Sequence, residues 1–100
     1  MLQVTVGKSV CQSPQMYELK QILLSFFDAK RINAVMNGNN VNSYHVQIES
    51  SKLDIFAKKI GLQGHKLTQT DLHGVYHLQL KSGDVFLVIA AQEFMVIGLL

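Results

Sequence analysis

The sequence predicts an α+β domain in which two helices cover a largely antiparallel sheet, with elements in the order β-α-β-β-α-β-β-β. Three observations carry that prediction. Several short segments alternate apolar and polar residues with a period of two, two longer segments repeat apolar residues every three or four positions, and Gly- or Asn-bearing turns separate them. At 100 residues the chain is one domain, 1–100, long enough to bury roughly two thirds of the surface its unfolded form exposes. Its 48% hydrophobic content excludes a disordered tail.

Leu2, Val4 and Val6 alternate with Gln3 and Thr5, predicting a first strand that Gly7 ends. Ser13 before Pro14 reads as an N-cap followed by proline at the first helical position, where a missing N–H costs nothing. Met16, Leu19, Ile22, Leu23, Phe26 and Phe27 then form one apolar face, and the helix is expected to end near Lys30 and Arg31. Ile32, Ala34 and Met36, and after them Tyr44, Val46 and Ile48, predict a hairpin around Asn37-Gly38-Asn39-Asn40. A two-residue turn would put the two apolar sets on opposite faces, so an odd loop with Gly38 or an Asn at positive φ is expected.

Ser51 and Asp54 have the spacing of a capping box, and Leu53, Phe56, Ala57 and Ile60 share a stripe behind them. Gly61, with Leu62 folding back, is the expected stop, giving a second helix from about Lys52 to Ile60. Residues 63–74 lack a sustained period, although 67–70 fits a brief strand. Tyr76, Leu78 and Leu80 oppose His77, Gln79 and Lys81, and a Ser82-Gly83 turn follows. Val85–Ala91 is apolar throughout, as expected of a central strand covered on both faces. Residues 94–100 read as a last strand, with a helix from Gln92 as the alternative.

Charge is sparse, at 16% against about 25% in ordinary soluble chains. The net charge is +2, shared evenly between the halves, and Arg31 is the one arginine, so the general footprint of a nucleic-acid binder is weak. Cys11 is the one cysteine, which excludes an internal disulfide and points to a reducing, cytoplasmic compartment. The first ten residues lack the apolar core of a signal peptide, and no run is long enough to span a bilayer, so no membrane association is expected.

Four histidines invite a search for chemistry. His73 and His77 with Asp71, and His65 brought near by its loop, form a candidate polar patch. His73 and His77 on a strand lie about 13 Å apart, however, which is too far for one metal ion. No Cys pair, HExxH, GxSxG, Walker or GxGxxG motif is present. No catalytic residue, cofactor or metal is assigned, and the balance is against an enzyme. Lys52, Lys58, Lys59 and Lys66 gather on or beside the second helix as a candidate phosphate-docking patch. With a histidine as acid or base, that patch defines the alternative function, a small nucleic-acid-binding protein or a toxin-type ribonuclease.

The heaviest signal is the C-terminal end. Glu93 is the one charge between Val85 and Leu100, and Phe94, Met95, Val96, Ile97 and Leu99 give both faces of the last strand apolar side chains. Such a strand either lies centrally in the sheet or is covered by a partner. The leading expectation is therefore a non-catalytic protein-interaction module, a homodimer or a binder of another protein, using this strand. The stretch GVYHLQLKSGDVFLVIAAQEFMVIGLL is similar in hydrophobic spacing to the closing meander of roadblock-type dynein light-chain domains. That resemblance, over about a quarter of the chain, implies a non-catalytic dimerisation module, although the second helix is shorter than that family's. It assigns no functional residue.

Overall fold

The structure, a computed structural model, describes residues 13–100. The expected first strand on Leu2, Val4 and Val6 lies outside the described residues, as does Cys11. The described part is α+β: helices α1 (Pro14–Leu24) and α2 (Leu53–Leu62) and strands β1 (Ile32–Asn37), β2 (Asn40–Gln47), β3 (Lys66–Gln69), β4 (Val75–Gln79), β5 (Val85–Ala90) and β6 (Phe94–Leu99). The brief strand at 67–70 is realised as β3, so four strands follow α2. The six strands form one sheet in the order β1-β2-β6-β5-β4-β3, with every neighbouring pair antiparallel. β6 thus inserts beside β2 in the middle of the sheet, and residues 94–99 are strand, not helix.

α1 starts where local chemistry says it should. The Met16 N–H donates to Ser13 Oγ at 3.1 Å, and Pro14 takes the first helical position. Its end comes earlier than expected. Ser25 Oγ donates to the Ile22 carbonyl at 2.6 Å, and the N–H groups of Ser25, Phe26 and Phe27 close on the Ile22 and Leu23 carbonyls. That tightened last turn, followed by extended Asp28, delivers both Phe26 and Phe27 onto Phe56 of α2, at ring-centroid separations of 5.6 and 5.4 Å. Lys30 and Arg31 lie in a separate 3₁₀ turn, Ala29–Arg31.

The hairpin corrects the expected odd loop. The strands are joined by two residues, Gly38 (φ 64°) and Asn39, which pair Asn37 with Asn40 and Met36 with Val41. The register then shifts, so that Val35 pairs with Ser43, Ala34 with Tyr44 and Ile32 with Val46, leaving Asn42 as the extra residue of a bulge. The two apolar sets do align, but the odd residue sits inside β2.

Around α2, both expected caps move. A 3₁₀ turn, Ser50–Lys52, precedes the helix, and no side chain caps it, so the Ser51–Asp54 box does not form. At the other end Gly61 stays helical, Leu62 is fully exposed, and Gly64 takes the left-handed conformation (φ 93°). The Gly64 N–H reaches the Gly61 carbonyl at 3.0 Å and the His65 N–H reaches that of Ile60 at 3.2 Å, the paired bonds of a Schellman motif.

Both helices pack on one face of the sheet. Met16, Leu19 and Leu23 of α1 and Leu53, Phe56 and Ile60 of α2 join Tyr44, Val46, Leu78, Phe86, Val88, Met95 and Ile97 in a single buried cluster. Burying each of these larger side chains contributes about 1.5–3 kcal/mol before conformational entropy is counted. All of these strand residues point the same way. β5 is central, but among the described residues it is covered by helices on one side only, which corrects the expectation of two covered faces.

Candidate functional site

The opposite face of the sheet is therefore its open face. Pairing across the strands lines up Val75, Ile89, Val96 and His45 in one row, and His77, Leu87, Gly98, Ser43 and Val35 in the next. Ile89 is 48% exposed, Val35 40% and Phe94 38%, while Leu87 and Val96 are half-buried. His45 stacks on Phe94 with ring centroids 4.4 Å apart and planes inclined by 26°. No described element covers these rows, so a contiguous apolar strip faces outward, flanked by His77, Gln79 and Gln47. Gly98 lies within it for a steric reason. A Cβ there would stand 3.2 Å from that of Ser43 and 3.3 Å from the Asn42 carbonyl oxygen at the bulge.

The C-terminal strand contributes only part of what the sequence assigned to it. β6 is hydrogen-bonded on both sides and has no free edge. Met95 and Ile97 are fully buried in the core, Phe94 and Val96 belong to the open face, and Leu99 lies half-exposed at the end of the strand on the helix side. Sequence reasoning missed Leu87, Ile89 and Val35. The signal for the first two was the continuous apolar run from Val85, which was read as covered on both sides.

The polar patch is not brought together. His65 follows α2, where its Nδ1 accepts the Lys81 N–H at 2.9 Å. Burial holds its imidazole below the ordinary histidine range, with Glu18 opposing that shift and Lys81 adding to it. Asp71 and His73 are exposed in the β3–β4 turn, at the far end of that hairpin. Thr70 orders this turn: its Oγ1 donates to the Val75 carbonyl at 2.7 Å and accepts from the Leu72 N–H at 3.2 Å. His77 lies mid-strand on the open face. Among the described residues, no group of three or more His, Cys, Asp or Glu side chains is placed to hold a metal.

The lysines divide as well. A cleft of about 510 Å³ opens between the end of α1, the end of β2 and α2, floored by Phe26, Phe27, Ile48 and Phe56. Lys52 and Lys59 stand at its rim with Arg31, and so do Asp28, Glu49 and Glu93. The loop after β2 holds the acidic side of that rim in place, through bonds from the Ile48 N–H to the Glu93 carbonyl (3.1 Å) and from the Ser50 N–H to that of Gln92 (2.8 Å). Three cations and three carboxylates balance, so the rim has no surplus of positive charge to draw in a phosphate backbone. Lys58 and Lys66 are exposed elsewhere, on α2 and at the start of β3.

Comparison with known proteins finds no matching family model, no matching curated protein and no matching solved structure. Among the described residues, no helix is long and apolar enough to cross a membrane.

Proposed function

We propose that this protein is a non-catalytic association module that binds a second copy or another protein through the open face of its sheet. The observation that carries the reading is the apolar strip of Leu87, Ile89, Phe94 and Val96, exposed or half-buried on a face that no described element covers. A soluble domain gains by burying such a strip against a partner, at about 25 cal/mol per Å² of apolar surface removed from water. Dispersal of the histidines supports a binding role over a catalytic one. The charge balance at the cleft weighs against the nucleic-acid alternative. Light scattering and affinity capture with Ile89→Lys and Val96→Lys test the reading. Each variant is expected to lose an assembly or a bound protein that the unaltered chain retains. Unchanged assembly and an unchanged capture profile in both variants would sink it.

A further inference from the structure

We propose that the outer edge of β1 pairs with β1 of a second copy across a two-fold axis, joining two six-stranded sheets into one. The inference goes beyond the open-face reading because it uses a different surface. β1 is an end strand, hydrogen-bonded to β2 on one side, and no described residue pairs with its other side. Its outward N–H and C=O groups call for extended backbone as the occupant. Five of its six residues are exposed, including Ala34, Val35 and Met36.

The two edges of the sheet differ. β3 is four residues long and begins with Lys66, so it is short and charged as edge strands generally are. β1 reads INAVMN, six residues with no charge and no proline, and the hairpin's bulge lies in β2 instead. An uncharged edge has no counter-charge to offer a charged segment, but it matches itself. Antiparallel self-pairing sets Ile32, Ala34 and Met36 beside the same set on the helix side, and Asn33, Val35 and Asn37 beside theirs on the other, with no like charges opposed. It also closes as a dimer, whereas pairing β1 with β3 of the next copy would propagate a filament and bring in Lys66.

Sedimentation or light scattering on the full chain tests this, with Met36→Lys as the edge variant and Ile89→Lys as the open-face variant. Met36 is exposed, on the helix side of β1, and Ile89 lies three strands away. The expected result is a dimer that Met36→Lys weakens about tenfold or more and Ile89→Lys leaves intact. In a Cys11→Ser background, Ala34→Cys should be joined into covalent dimers by a short bis-maleimide. If both lysine variants lose the dimer, that cross-link decides: its presence supports the edge and its absence overturns it. A monomeric unaltered chain overturns the proposal, including the case in which residues 2–6 of the same chain occupy the edge. So does a dimer lost in Ile89→Lys alone, which would move self-association to the open face and leave the association reading standing.

Discussion

β5 carries both faces of the sheet in one strand, and its six residues show what separates them. Phe86 and Val88 are fully buried beneath the helices, while the equally apolar Leu87 is half-buried and Ile89 is 48% exposed. Hydrophobicity along this strand is uniform, so the difference comes from the layer above it. α1 and α2 both pack on the Phe86 side, and no described element packs on the other. An apolar run therefore reports how much surface a strand offers for burial, not how much its own chain covers. On the covered face the surplus stabilises the fold; on the open face it stays exposed or half-buried, and that is the surface the proposed association would bury.

That contrast makes its largest prediction at Phe86. Phe86→Ala removes a fully buried ring from the centre of the core and should cost about 3–5 kcal/mol in urea unfolding, while Ile89→Ala, half in solvent already, should cost less than about 1 kcal/mol. Equal losses would mean that the open face is covered in solution, and concentration dependence of the Ile89→Ala loss would show that a second copy covers it.

Gly74 comes next. It enters β4 at φ 79°, its carbonyl accepts the Ala90 N–H at 2.8 Å, and a Cβ would meet the Ala90 carbonyl oxygen at 3.1 Å. Gly74→Ala combines a left-handed backbone with a backbone clash and should cost about 2 kcal/mol, read as a lower urea midpoint with unchanged slope. Gly98→Ala is a milder change on the open face. Its backbone is not left-handed, and an added methyl limits the unfolded chain, which offsets part of the strain against Ser43 and the Asn42 carbonyl. A net loss of about 1 kcal/mol is expected, with the His45–Phe94 stack intact by the NMR shifts of the His45 ring. A neutral result would mean that the bulge at Asn42 yields readily.

Several elements were legible from local signals, although the equally local Ser51–Asp54 box does not form. Ser13-Pro14 sets the start of α1 because capping involves residues three apart, and the alternation of Tyr76, Leu78 and Leu80 carries β4. What escaped depended on distant partners. The stop at Leu24 follows from Phe26 and Phe27 turning onto Phe56, thirty residues on. Two glycines, 61 and 64, fit a helix stop equally well by composition, and the bonds back to Ile60 and Gly61 choose the second. The hairpin needed an odd residue, and nothing local says whether a turn or a bulge supplies it. The candidate interface was half legible for the same reason. Phe94 through Leu99 is apolar on both faces, so only the insertion of β6 between β2 and β5 reveals that Met95 and Ile97 are core while Phe94 and Val96 are surface.

The smallest expected effect lies at the rim of the covered face, where His65 closes the end of α2 against the β4–β5 turn. Its Nδ1 accepts the Lys81 N–H at 2.9 Å, which only the neutral ring with its proton on Nε2 can do. Burial favours that neutral form and outweighs the pull of Glu18, so the folded imidazole titrates below its ordinary value. In the unfolded chain the ring takes up a proton first as pH falls through about 6.5. The stabilising contribution of neutral His65 is thus fully present above that pH and is lost progressively as pH falls through the folded value. His65→Gln retains an acceptor but does not titrate, and it should flatten the acid side of the stability profile below about pH 6.5 while leaving the neutral side nearly unchanged. An acid slope unchanged in His65→Gln would show that the contact between His65 Nδ1 and the Lys81 N–H is not where protonation acts.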